Sequence, residues 1–132
     1  MQYPYVGTAK RQKHGTTIII SDHAEEESIR LSRLNRAIKV STELNNNEAI
    51  NSVTAIDGVV LLDPFGKCFA IGAILDGEAR KPGNSARGAR YNSAVTYIDY
   101  WGKKGYKAIA VIISVDNSID VYSGIDNYEK GK

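Results

Sequence analysis

The chain has 132 residues, of which 42% are hydrophobic and 24% are charged, and its formal net charge is +2. These values predict one soluble globular domain with one core, and they do not indicate direct binding to nucleic acid. The single cysteine, Cys68, excludes an internal disulfide. No apolar run approaches the roughly 20 residues of a membrane span, and the N-terminus lacks a signal-peptide pattern, so we expect a cytoplasmic location.

The order of apolar runs and turn-forming residues predicts alternating strands and helices. Short β-branched runs indicate strands, and apolar residues at helical spacing beside capping residues indicate helices. Residues 36–44 are compatible with a strand, a loop or a connector. The predicted strands cover residues 15–20, 59–62, 68–75, 107–115 and 119–122. The predicted helices run from a cap at Ser21 or Asp22 to residues 35–36, from the turn at Asn45-Asn46-Asn47 over 48–55, and over 86–101.

Hairpins within this order require some antiparallel pairing, and helices separate the remaining strands. We therefore predict an α/β fold, a single domain with a mixed parallel and antiparallel sheet and helices packed on its faces. The domain would span residues 1–132, with a core over 13–122 and a frayed tail over 124–132. Gly72 inside the second hairpin strand predicts a bulge or a close approach of backbone or ligand.

Asp57 and Gly58 lie immediately before the strand predicted over residues 59–62. A carboxylate at a strand edge can bind Mg²⁺ together with phosphate oxygens, and it can help to deprotonate a hydroxyl that attacks phosphorus. An Asp-Gly pair also forms ordinary turns in which the carboxylate accepts bonds from nearby amides. From spacing alone the turn is the commoner case, and both interpretations stay open.

Residues 83–90 (Gly-Asn-Ser-Ala-Arg-Gly-Ala-Arg) place Arg87 and Arg90 on either side of Gly88, where the longest helix begins. Helix N-termini bind anions, glycine lets the backbone approach a ligand, and arginine can bind phosphate through two hydrogen bonds. The pattern therefore indicates a phosphate site. An exposed helix start whose arginines pair with local acids is an equally good explanation.

Polar and aromatic side chains follow this glycine-rich segment. Asn92 and Ser93 add polar groups at the same helix end, and Tyr91 could stack on a base, although a lone tyrosine more often packs in a core. His14 and His23 lack the spacing of metal ligands. The chain shows no Ser–His–Asp arrangement, no Cys–His arrangement and no Walker-type phosphate loop.

Together these motifs resemble those of the diadenylate cyclase domain, the nucleotide-binding domain also found at the N-terminus of the DNA-integrity scanning protein. Residues 13–16 (Lys-His-Gly-Thr) are similar to the His-Gly start of that family's first strand. Residues 57–59 (Asp-Gly-Val) are similar to its Asp-Gly-Ala motif, and residues 88–94 (Gly-Ala-Arg-Tyr-Asn-Ser-Ala) to its Gly-Thr-Arg-His-Arg-Ala-Ala motif. The resemblance extends from residue 13 to residue 122.

The resemblance implies a role for each matching residue. In that family the aspartate binds a metal ion and supports attack of one ATP's 3′-hydroxyl on the α-phosphate of another ATP held by a facing domain. It therefore implies Asp57 as the catalytic and metal-binding residue, Mg or Mn as the ion, and a homo-oligomer for any catalysis. The predicted nucleotide-binding residues are Gly58, Gly72, Arg87, Gly88, Arg90, Tyr91, Asn92 and Ser93.

The chain departs from the family motif at three positions, where Ala89, Tyr91 and Asn92 replace threonine, histidine and arginine. Each lost charged hydrogen bond to phosphate removes about 1.5–3 kcal/mol. Catalysis should suffer more than binding, because it depends on stabilising charge in the transition state. Arg87 could replace the missing guanidinium. The stretch also resembles non-cyclase relatives that occur in larger bacterial proteins and have been proposed as nucleotide sensors.

Three functions are therefore in competition. The favoured hypothesis is a sensor domain that binds ATP or a cyclic dinucleotide with weak or absent cyclase activity, within a larger chain. The first alternative is an active diadenylate cyclase that condenses two ATP into cyclic di-AMP. The second alternative is an assembly domain with a vestigial pocket, whose arginines form ion pairs or a subunit contact.

Overall fold

The computed structural model describes residues 15–54, 58–75, 88–114 and 118–124. These residues form an α/β domain, as predicted, and the element order differs from the prediction by one additional strand, β2. The elements are β1 (Thr16–Ser21), α1 (Ala24–Arg33), β2 (Ile38–Glu43), α2 (Asn47–Thr54), β3 (Val59–Leu62), β4 (Lys67–Ala73), α3 (Gly88–Lys103), β5 (Ala108–Ile113) and β6 (Ile119–Tyr122).

The six strands form one mixed sheet in the order β2-β4-β3-β1-β5-β6. Strands β1 and β3 are parallel, with Thr17 opposite Val59, and the other neighbouring pairs are antiparallel. Because β1 and β3 run in the same direction, both start at the end of the sheet where β4 and β5 finish. We call this the upper end of the sheet, and three of the predicted site residues, Gly58, Gly72 and Arg90, lie there.

Two apolar cores cover the two faces of the sheet. On one face Ile18 and Ile20 pack with Ile50 and Val53 of α2, and on the other Ile19 packs with residues of α1 and α3. All six residues of β1 are buried, as its uninterrupted β-branched sequence predicts for a strand covered on both sides. The helices therefore pack on both faces, which confirms the predicted layering.

The predicted cap of α1 is wrong, because Ser21 belongs to the buried strand β1 rather than to the helix start. The helix N-cap is His23, whose side chain makes no capping hydrogen bond. Ser21 instead accepts a hydrogen bond from the backbone N–H of His23 at 2.9 Å. The imidazole stacks on Tyr106 with ring centroids 3.9 Å apart. His23 thus lies at the helix cap, partly buried against an aromatic ring.

The segment that sequence analysis left open is the edge strand β2, which pairs antiparallel with β4 and is mostly exposed. After it, the side chain of Asn46 accepts a hydrogen bond from the backbone N–H of Ala49 at 2.8 Å, so the predicted asparagine cap of α2 is confirmed. Within the described ranges, no helix is both long enough and apolar enough to cross a membrane.

Some predictions fall outside the described residues. These are the basic segment at residues 10–14, the loop over 76–83, the tail over 125–132, and the side chains of Asp57 and Arg87. Their places in the site remain predictions from sequence. The structure tests the strands and helices that surround these residues.

Candidate functional site

The backbones of β3 and β4 make direct contact at the upper end of the sheet. A Cβ added to Gly58 would lie 2.8 Å from both Cα and C of Gly72, and Gly58 has a φ of +117°. Gly72 has a φ of +58°, and the pairing of the two strands shifts register between Val59 and Leu61. The predicted bulge at Gly72 is therefore confirmed, together with a close approach of two backbones.

Arg90 lies in the first turn of α3, and its guanidinium packs against Gly15 just before β1. A Cβ added to Gly15 would lie 2.7 Å from Nη1 of Arg90 and 3.4 Å from its Cζ. Arg90 is an exposed residue. The helix therefore presents a permanent positive charge at the upper end of the sheet, where β1 begins.

The same end of the sheet holds the glycines and the arginine. Thr17 pairs with Val59, so the start of β1, just after Gly15, lies beside the start of β3, just after Gly58. Helix α3 begins at Gly88, close to the point where sequence analysis placed its start, and the contact of Arg90 with Gly15 brings its first turn to this end. The structure thus brings together Gly58, Gly72, Gly88 and Arg90.

Tyr91, Asn92 and Ser93 follow Arg90 on α3 and are half-buried. Tyr91 packs against the core on the α3 side, and its ring meets that of Tyr122 edge-to-face with centroids 6.5 Å apart. The carbonyl of Asn92 accepts a hydrogen bond from Thr96 at 2.9 Å. Packing therefore accounts for Tyr91, and ligand contacts by these three residues remain predictions.

A family model described as DisA bacterial checkpoint controller nucleotide-binding matches residues 6–125. The chain belongs to this family. The resemblance inferred from the Asp-Gly and Gly-Ala-Arg motifs is confirmed, and a nucleotide site at the upper end of the sheet remains a prediction. No curated protein matches the chain by sequence.

The fold is similar to that of a solved diadenylate cyclase-type structure, a double mutant of DacA from Staphylococcus aureus. The match covers 96% of this chain and 85% of that chain, with a TM-score of 0.60 and 18% sequence identity. At this identity the similarity establishes the fold alone. The domain therefore has an α/β architecture similar to that of DacA, and its activity has to be inferred from its own residues.

Sequence analysis missed Thr16, which lies between Gly15 and the buried isoleucines of β1. The residue is 1% exposed, and its Oγ1 has no hydrogen-bond partner in the described part of the chain. Such buried orphan hydroxyls are rare and call for a water, a ligand or a cost in stability. A polar residue at the start of an otherwise apolar buried run was the available signal.

The described residues contain no group of three or more histidine, cysteine, aspartate or glutamate side chains that could hold a metal ion. A dedicated protein metal cage is therefore not found within that part of the domain. Magnesium bound with a nucleotide needs only one or two carboxylates besides phosphate oxygens. Asp57 alone could therefore provide the protein ligand for such an ion. Cys68 is buried, and burial raises the pKa of its thiol to about 11, which confirms the predicted inert cysteine.

Proposed function

We propose that this DisA-type domain binds ATP or a cyclic dinucleotide at the upper end of its sheet and acts as a sensor with weak or absent cyclase activity. The observation that carries the proposal is the position of Arg90, whose guanidinium packs against Gly15 at the start of β1, the strand that pairs in parallel with β3. An exposed cation, a helix N-terminus and two glycines without side chains thus share one end of a domain whose family description is nucleotide binding.

Each group has a defined part in binding. The guanidinium of Arg90 can donate two parallel hydrogen bonds to one phosphate, and N–H groups of the first turn of α3 can donate to the same anion. Gly58 and Gly72 let the backbones of β3 and β4 approach each other beside the site, which fixes the position of the strand start after Asp57. Asp57 would hold a Mg or Mn ion jointly with phosphate oxygens, and that ion would neutralise phosphate charge. Arg87 would supply a second guanidinium.

Weak catalysis follows from what the phosphate site lacks. Ala89, Tyr91 and Asn92 stand where the family motif has a hydroxyl, an imidazole and a second guanidinium. Tyr91 packs against Tyr122 and the core, which supports a packing role at that position rather than charge stabilisation. Binding can survive such losses, whereas a transferring phosphoryl group requires donors placed around its developing charge.

Isothermal titration calorimetry with ATP, cyclic di-AMP, GTP and adenosine, with and without Mg²⁺, tests the proposal. We expect binding of at least one adenine nucleotide and a loss of about tenfold or more in affinity for Arg90→Ala, since a charged hydrogen bond contributes about 1.5–3 kcal/mol. Lys103→Ala, an exposed cation in the last turn of α3, at the opposite end of the helix from Arg90, is the matched control and should bind as the wild type does. Absence of any binding at millimolar ligand contradicts the proposal.

The alternative of an active cyclase is favoured by the fold, which matches DacA over nearly the whole chain. Condensation of two ATP requires two subunits, because one site holds one reacting nucleotide, so a homo-oligomer belongs to this alternative. Incubation with ATP and Mg²⁺ or Mn²⁺, followed by chromatography, tests it. Cyclic di-AMP formed by the wild type and lost in Asp57→Asn would establish the cyclase, and absence of product supports the sensor.

The third hypothesis, an assembly domain, makes a different prediction for the same variant. Arg90→Ala would then change oligomer size in sedimentation experiments without changing nucleotide affinity. A cytoplasmic location and membership of a larger chain also remain predictions.

A further inference from the structure

Gly15 occupies a position where no side chain fits. A Cβ there would lie 2.7 Å from Nη1 of Arg90 and 2.8 Å from the carbonyl oxygen of Ile113. Both distances are below the 3.0 Å that real Cβ atoms respect. Any residue other than glycine must therefore displace both the guanidinium and the carbonyl.

The two neighbours differ in how readily they can move. Ile113 is 2% exposed, and its backbone pairs with that of Thr16, between the inner strands β1 and β5. Arg90 is exposed, and its guanidinium lies at the end of a long side chain with several rotatable bonds. A methyl group at position 15 therefore displaces the guanidinium from the start of β1 at little cost, and it also strains the backbone contact with Ile113.

We propose that Gly15 is a positioning residue that holds the guanidinium of Arg90 against the upper end of the sheet, ready for a ligand phosphate. This inference rests on the proposed function. Packing on the flat backbone of Gly15 restricts the rotamers of Arg90 before the ligand arrives, so less side-chain entropy is lost on binding. The neighbouring strand start at Gly58 places the held charge beside the rest of the site.

A double-mutant cycle tests this role with ATP and adenosine as ligands. We expect Gly15→Ala to lower ATP affinity by about tenfold, as loss of a charged phosphate contact does. In the Arg90→Ala background the same substitution should cause no further loss, because Gly15 acts through Arg90. The affinity for adenosine, which has no phosphate, should stay unchanged in all variants. Gly102→Ala is the control, since a Cβ there meets nothing within 4 Å.

Two results would overturn the positioning role of Gly15 and leave the proposed function intact. One is an unaltered ATP affinity in Gly15→Ala, and the other is an equal loss in the wild-type and Arg90→Ala backgrounds, which would mean that Gly15 acts through the strand. A wild type that binds no nucleotide contradicts the proposed function itself. If Gly15→Ala does not fold, nuclear Overhauser contacts between the Gly15 α protons and the Arg90 guanidinium protons decide: their presence in the wild type supports the positioning role, and their absence refutes it.

Discussion

Gly58 and Gly72 meet backbone to backbone, so closely that a methyl group on Gly58 would lie 2.8 Å from two main-chain atoms of Gly72. Both glycines have positive φ, and the contact coincides with a bulge in β4. Since Gly58 directly follows Asp57, the contact anchors the strand start next to the predicted metal-binding carboxylate. Gly58 cannot be replaced without moving main chain, and Gly72 has a left-handed φ of +58° that favours glycine.

Gly58→Ala should destabilise the domain through both an unfavourable φ and a clash with rigid backbone. Gly66→Ala is the matched control, because Gly66 has a φ of +89° and a Cβ there meets nothing within 4 Å. We expect Gly66→Ala to cost about 1–2 kcal/mol from the left-handed backbone alone, and Gly58→Ala to cost more by about 1–3 kcal/mol. Urea unfolding of both variants measures the difference. Equal costs would show that the Gly72 contact is unimportant.

Thr16→Val should stabilise the domain. The substitution keeps the branched shape and removes a hydroxyl that is buried without a hydrogen-bond partner in the described structure, a group that costs about 1–3 kcal/mol. Thr96→Val is the control, because the Thr96 hydroxyl donates to the carbonyl of Asn92 at 2.9 Å. We expect a higher melting temperature for Thr16→Val only. A lower one would indicate a hydroxyl bound to buried water.

Cys68 should make stability depend on pH in the alkaline range. Burial raises the pKa of its thiol from 9.0 to about 11, so the folded state holds the proton more tightly than the unfolded state. The stabilisation is complete below pH 9 and is lost as the pH rises from 9 to about 11, with a total of about 2–3 kcal/mol. Denaturation across this range should be steeper for the wild type than for Cys68→Ala. Identical pH profiles would contradict the expected burial effect.

Local patterns were sufficient to predict the strands that form the centre of the sheet. β1 and β5 are uninterrupted apolar runs, and the glycines at positions 58 and 72 signalled a strand start and a bulge that the structure confirms. These features are determined by residues adjacent in sequence. The mixed sheet followed from combining hairpins with helical connections.

Features that depend on distant partners could not be predicted in this way. Glu27 was interpreted as one of three acids in the first turn of α1, yet it is 2% exposed. It accepts hydrogen bonds from Arg30 at 2.6 and 2.8 Å and from the hydroxyl of Tyr97, seventy residues away, at 2.5 Å. The segment of β2 stayed open between a strand, a loop and a connector, because an exposed edge strand lacks a clear apolar pattern. The contact of the Arg90 guanidinium with Gly15 likewise joins two segments that are far apart in the sequence, and no local pattern predicts that contact.

Tyr91→Ala should separate the two interpretations of this tyrosine. Because the ring packs half-buried against Tyr122 and the core, we expect a loss of about 2–3 kcal/mol in unfolding free energy, at the low end for removal of an aromatic side chain. ATP affinity should change less than about threefold, because stacking on a base contributes about 1–3 kcal/mol only when the ring contacts it. Tyr91→Phe should preserve both quantities. Urea denaturation and calorimetry on the same samples measure them, and a tenfold loss of ATP affinity in a stably folded Tyr91→Ala would instead assign the ring to the nucleotide base.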